Sequence, residues 1–246
     1  MLISFFEEFP SGKNLTRLQY FSKSTKLYLA AESILEFKKI VSRIKSKSVK
    51  EYIYWPILKR HEGYWISPFS KRKALLRIFQ ELEREKIPVM LDLELPTTQN
   101  PWLYLTQFPT FWSNKRLIRK FISKYKGEIY LAEYYPEGYY KEKLLEWLGL
   151  HYAHPKVKVI KMLYASLHRF NLVEKLHQGK QEYGNKFIVG FGTIAPGIHA
   201  DETVLTPTQL EQDLQTAKKT GIREVIVFRL GGLNETYVNV LKNFAQ

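Results

Sequence analysis

Cysteine is absent from the 246-residue chain, methionine occurs only three times, and acids are scarce, 24 against 38 lysines and arginines. Without cysteine there can be no disulfide framework, thiolate zinc site, iron–sulfur cluster or cysteine nucleophile. No apolar run approaches the ~18 residues a membrane-spanning helix needs. The opening Met1-Leu2-Ile3-Ser4-Phe5-Phe6-Glu7-Glu8 places two acids where a secretory leader keeps its apolar core, so a cytoplasmic protein is expected. GxSxG, HExxH and P-loop patterns are also missing. What remains is 45% hydrophobic and 25% charged, an ordinary globular composition, with a formal charge of +14. Aromatic residues make up 15%, more than a core strictly requires. That excess calls for unusual packing or for a surface that stacks on something planar.

Short apolar runs alternate with amphipathic stretches along the whole chain. Strand-like runs occur at Leu2–Glu7, Leu27–Glu32, Tyr52–Ile57, Val89–Leu95, Ile129–Tyr134, Val157–Tyr164, Phe187–Phe191 and Val225–Leu230. Helical stretches fall between them, over Ser33–Lys45, Lys71–Lys86, Asn114–Tyr125, Lys141–Leu148, Leu167–Tyr183 and Thr206–Thr220, with a last one near Glu235–Ala245. Thr206-Pro207-Thr208-Gln209 reads as a capped helix start, and Gly221 after Lys218 and Lys219 as a helix stop. Parallel neighbours need crossover helices, so eight such units predict one α/β domain over residues 1–246, a single (β/α)8 TIM barrel. The competing doubly wound sheet usually carries a glycine-rich turn after its first strand, and Glu7-Glu8-Phe9-Pro10-Ser11-Gly12 is not one.

In such a barrel the functional groups emerge at the C-terminal ends of the strands. Those ends hold Glu7 and Glu8, Glu32, Trp55, Asp92 and Glu94, Glu133 and Tyr134, Tyr164, and Arg229. By the strand period of two, Val89, Leu91, Leu93 and Leu95 share one face and Met90, Asp92 and Glu94 the other. The apolar face should meet the helices, which points Asp92 and Glu94 into the barrel. Two adjacent carboxylates repel, so one would hold the proton that a general acid needs. Inward-facing Arg229 or Lys161 could instead pair with one of them. Glu133 would add an opposing carboxylate if it faces inward, and paired acids are the basic equipment of glycoside hydrolysis. Aromatic planes fit the apolar C–H face of a sugar. The expected catalytic set is therefore Glu94, Asp92 and Glu133. Tyr164, Trp55, Glu8, Glu32, Tyr134, Arg229 and Trp102 are expected to bind carbohydrate, with no metal or cofactor.

Asp92-Leu93-Glu94 at the end of strand four, with Met162-Leu163-Tyr164 at the end of strand six, resembles the chitinase-type glycoside hydrolases. That resemblance implies a (β/α)8 barrel in which Glu94 protonates the glycosidic oxygen. It also implies that Asp92 orients a substrate acetamido group serving as nucleophile, and that Tyr164 steadies it. The family's two earlier strand-four aspartates fall on Ile87 and Met90, and its strand-eight tryptophan has no counterpart near Arg229.

Other patterns point elsewhere. Gly190, Gly192, Gly231 and Gly232 stand where barrels often bind phosphate through backbone N–H groups, a sugar-phosphate isomerase or aldolase-like alternative. An aldolase-type Schiff base needs an inward lysine, and Lys161 has the parity only if strand six is bulged. His151-x-x-His154 precedes strand six, away from the catalytic rim and without neighbouring acids in the sequence, while His199 and Asp201 follow strand seven. The charge is lopsided. Residues 1–127 hold 24 basic and 11 acidic side chains against 14 and 13 in residues 128–246, with the excess in Lys38–Lys50 and Lys115–Lys126. A non-catalytic barrel holding an anionic polymer on this basic half is the rival reading.

Overall fold

A computed structural model of the chain describes every residue except Thr98, residues 135–138, His168 and Gln246, and leaves aside the side chains of Tyr134, Tyr139 and Glu142. The side chain of Tyr134, expected to bind carbohydrate, therefore lies outside those described. Among the described residues eight parallel strands close a barrel in sequence order. They are β1 (Leu2–Glu7), β2 (Thr25–Ala31), β3 (Val49–Pro56), β4 (Val89–Asp92), β5 (Ile129–Tyr134), β6 (Val157–Met162), β7 (Phe187–Gly192) and β8 (Glu224–Phe228). The interleaved helices are α1 (Gly12–Leu15), α2 (Ile34–Ser42), α3 (Arg72–Glu85), α4 (Trp102–Gln107), α5 (Phe111–Lys124), α6 (Tyr139–Leu148), α7 (Leu172–Tyr183), α8 (Pro207–Lys219) and α9 (Glu235–Lys242).

Where element ends differ from the sequence pattern, local chemistry explains the difference. Strand β4 stops at Asp92, not Leu95. Leu93 N–H still bonds Ala132 O at 3.0 Å, but Pro96 ahead has no donor to extend the ladder. Helix α7 starts at Leu172, five residues later than expected, because the Asn171 side chain accepts from Glu174 N–H and fixes the start there. The capping box at Thr206 forms as read, with Gln209 N–H on Thr206 Oγ1 at 3.2 Å and Thr206 N–H on Gln209 Oε1 at 2.9 Å. The small helix α4 was not signalled, since Trp102–Gln107 is too short for a 3.6-residue period to show.

The chain forms two compact units. The first comprises Met1–Ala30, Lys38–Ile53 and Val159–Gln246; the second comprises Ala31–Phe37 and Tyr54–Lys158. In the first, Phe5 pairs with Val227 and with Leu27, and Val227 with Phe191, so these residues share one sheet face. That face meets the helix layer. Phe5 packs edge-on against Phe21 at 5.2 Å, and Lys161, in register with Val189, lies 5.4 Å over the Tyr183 ring of α7. Lys161 therefore faces outward, which removes it as an aldolase-type lysine. The opposite, inner face carries Ser4, Phe6, Tyr28, Ile226 and Phe228, closed at its base by Glu224, which accepts from Ser4 Oγ at 2.9 Å and pairs with Lys26 at 3.1 Å.

Asp213 on α8 is half-buried, and its Oδ2 has no hydrogen-bond partner among the described residues. Burial pushes its carboxyl up to about 6. A raised folded-state value means the folded protein favours the protonated form, so that stability is present below about pH 4 and lost as pH rises through 6. Asp213→Asn should therefore stabilise the protein by about 1–2 kcal/mol at neutral pH, after discounting for partial solvent screening. The gain should vanish near pH 3.5, roughly, in urea midpoints taken at both values.

Candidate active site

The second unit holds the strand-four acids. Tyr54 on β3 is in register with Val89 on β4, and the Tyr54 ring packs 5.2 Å from Phe37 of α2, so the Tyr54–Val89–Leu91 face meets helices. The period of two then turns Trp55, Met90 and Asp92 to the inner face. Asp92, the last residue of β4, is 4% exposed, and Trp55 is 3% exposed. Glu94 follows in the turn, half-buried. Asp92 O accepts from Ile66 N–H at 2.9 Å, which ties the loop after β3 to the end of β4. That loop carries the buried Tyr64 and Trp65 rings, edge-to-face at 5.2 Å. Ser70 Oγ, donating to Trp65 O at 2.8 Å, holds its shape.

Glu133 does not join Asp92. The β4–β5 register pairs Leu91 with Leu131 and Asp92 with Ala132, so the next residue, Glu133, points to the opposite, helix-side face. The expectation of two inward carboxylates fails there for a simple reason. Asp92 is the fourth residue of its strand and Glu133 the fifth of a strand that starts in register with it. Glu133 is 1% exposed, and its Oε2 lies 2.9 Å from His151 Nδ1. The histidine read as lacking acidic neighbours thus has a buried one. His151 lies between α6 and β6, and no local pattern signals a partner 18 positions upstream. His151 opens onto a cleft of about 600 Å³ with Arg119, Lys143, Glu146, Tyr152 and His154. Tyr152 is buried, and burial raises its hydroxyl well above the usual range, against the pull of Arg119.

The first unit holds the remaining acids. Glu7 faces the helices and accepts four hydrogen bonds: Phe9 N–H at 2.8 Å, Asn14 Nδ2 at 3.1 Å, Arg229 Nη1 at 3.3 Å and Gly231 N–H at 2.6 Å. Arg229 also donates to Pro196 O at 2.7 Å and lies 4.8 Å over the Phe9 ring. Expected to bind substrate or a strand-four acid, it is built instead into the Glu7 network. Glu8 is 4% exposed, and its Oε2 stands 2.8 Å from where a Cβ on Gly197 would be. Glu202 Oε1 stands 3.1 Å from the same point, and its Oε2 accepts from Gly197 N–H at 3.0 Å. Glu202 carries no sequence signal because it lies in an irregular loop, where no strand parity applies. Half-buried Tyr164 has its ring 5.9 Å from that of Phe228, on the inner face.

Two of the four glycines proposed for phosphate are otherwise engaged. Gly231 N–H is held by Glu7 and Gly232 N–H by Arg229 O at 3.0 Å, and a Cβ on Gly232 would meet Ile194 O at 2.0 Å. These two N–H groups are thus taken up within the protein. Glu32 is exposed beyond β2, its backbone N–H bonded to Glu36. Trp102 is 71% exposed on α4. Among the described residues no cluster of histidine, aspartate and glutamate could hold a metal ion, and no helix is long and apolar enough to cross a membrane.

Comparison with protein families and with curated proteins yields no match. Solved structures do match in shape. The glycoside hydrolase domain of PgaB (BpsB) from Bordetella bronchiseptica superposes with a TM-score of 0.52 at 9% identity, over 97% of this chain and 95% of that one. The likeness is that of a closed (β/α)8 barrel. The spore cortex-lytic enzyme SleL from Bacillus megaterium QM B1551 gives 0.55 at 9% identity over 99% and 74% of the two chains. A D-tagatose 3-epimerase-like protein gives 0.51 at 12% identity over 99% and 97%. At such identities the likeness is one of fold, and function must come from the side chains.

Proposed function

We propose that the protein hydrolyses glycosidic bonds in a carbohydrate built from N-acetylated sugars, using the acids at the end of β4. The observation that supports this reading is Asp92, buried at the last position of β4 on the inner face, on the same face as the buried indole of Trp55. Glu94 two residues on keeps contact with solvent, as an acid that must be reprotonated each turnover requires.

In this scheme the Glu94 carboxyl gives its proton to the glycosidic oxygen as the bond to the anomeric carbon breaks. The acetamido oxygen of the same sugar takes that carbon, and Asp92 steadies the acetamido N–H as positive charge develops there. Water then opens the cyclic intermediate, returning its proton to Glu94. Trp55 packs against the sugar ring. Glu133 has no part in the step and orients His151.

The test is hydrolysis of short N-acetylglucosamine and glucose oligomers followed by NMR of the newly formed reducing ends. Cleavage restricted to the N-acetylated series, with retained anomeric configuration, is the expected result. Absence of cleavage in both series sinks the enzymatic reading. An inverted product excludes acetamido participation, since that route displaces twice at the same carbon. A second reading moves the acid pair to Glu8 and Glu202, which flank Gly197.

A further inference from the structure

We propose that the face formed by α4, the start of α5 and α6 docks onto an anionic phospholipid bilayer. On α4 and the turn after it, Trp102, Leu105 and Phe108 recur every third residue, at 71%, 69% and 66% exposure. Trp112 on α5 and Leu144 and Trp147 on α6 are likewise more than half exposed. These helices are neighbours. Phe111 packs against Trp147 at 5.6 Å, Trp112 against Trp147 at 6.1 Å, and Phe69 touches both Tyr104 and Phe111. Lys115 binds the last α6 carbonyls, those of Glu146 and Trp147, at 2.8 and 2.7 Å. An exposed apolar surface of this extent signals an interaction site.

Charge selects the occupant. Between Glu94 and Glu128 the chain has six basic residues and no acid. On α5, Trp112, Lys115, Arg116, Arg119 and Lys120 recur at helical spacing, so cations flank the aromatic patch along one stripe. The acid of α6 whose side chain is described, Glu146, is neutralised by Lys143 at 3.0 Å. Protruding leucines offer no plane to a sugar, which disfavours a glycan. A second copy set patch against patch would bring two such cation sets together. Aromatic and leucine side chains rimmed by arginine and lysine suit the interface of a bilayer bearing acidic headgroups, where each nearby cation strengthens binding.

The whole chain should co-sediment with vesicles containing about 30% phosphatidylserine in phosphatidylcholine, more weakly as salt rises. Of its five tryptophans, Trp55 and Trp65 are buried, so a blue shift of emission on binding reads Trp102, Trp112 and Trp147 directly. Combined Trp102→Ser, Leu105→Ser and Phe108→Ser should lower the partition coefficient at least about tenfold, and so should Arg116→Glu with Lys120→Glu. Should the triple variant misfold by circular dichroism, Trp102→Ser and Leu105→Ser alone, both at highly exposed positions, should each still lower it severalfold. Failure to sediment with the acidic vesicles, equal binding to pure phosphatidylcholine, or binding unaffected by these substitutions overturns the proposal. So does a dimer that the serine variant dissociates, which would make a second copy the occupant.

Discussion

Glu94→Gln should slow cleavage of N-acetylated oligomers by about 10²–10⁴-fold, the usual contribution of a positioned general acid. The amide keeps the size and hydrogen-bonding outline of the acid but has no proton to give, so the loss should fall on kcat and leave KM close to the parent value. An aryl glycoside whose leaving group is already a weak base needs little protonation, and with it the deficit should shrink. That contrast separates lost proton donation from distorted structure. Asp92→Asn should also lower kcat, and here the aryl substrate gives no relief, because steadying the acetamido group is needed whatever leaves. If Glu8→Gln shows the leaving-group dependence and Glu94→Gln does not, the acid belongs to the pair flanking Gly197. Steady-state rates of these three variants on the two substrates decide the assignment.

How much of this was legible in the sequence differs by level. The barrel was, because each strand is a short β-branched or aromatic run and each long helix a 3.6-period stripe, and both patterns are local. The inward aim of Asp92 was legible for the same reason: its strand alternates leucine with polar residues, and the leucines go to the helices. Glu133 was not. Its own strand is apolar on both faces, Tyr130 and Ala132 inside, Ile129 and Leu131 outside, so parity within β5 assigns no direction. Only the register with β4 turns it outward, and register is a property of two segments. The same limit hid His151, Glu202 and the Glu7–Arg229 pair, whose partners stand 18 to 222 positions apart or in loops without period. Pairwise geometry across long separations is what a period along one chain cannot encode.

Glu7→Ala should be the most destabilising substitution at the strand ends, by about 3–5 kcal/mol, the range for removing one member of a buried ion pair. Glu7 is 0% exposed and gathers donors from three segments: the turn at Phe9, the α1 side chain Asn14, and Arg229 with Gly231 after β8. Without the carboxylate, the Phe9 and Gly231 N–H groups and the Asn14 amide lose an acceptor in a site closed to water. Arg229 keeps Pro196 O and the Phe9 ring but not its counter-charge. For a chain of this length the melting temperature should fall by roughly 10 °C. The pH dependence distinguishes this account from a simple cavity. Burial pushes the Glu7 carboxyl above its ordinary value, while Arg229 and the N–H donors pull it back only in part. A group whose folded value is raised lends stability fully below its unfolded value, and that part is lost as pH climbs through the folded one. The deficit of Glu7→Ala should therefore be largest in acid and smaller at neutral pH, where the unpaired donors and the lost Arg229 counter-charge account for it. Urea titrations of both proteins from about pH 3.5 to 7 measure the difference, and a deficit that is flat or grows with pH contradicts a Glu7 value raised by burial.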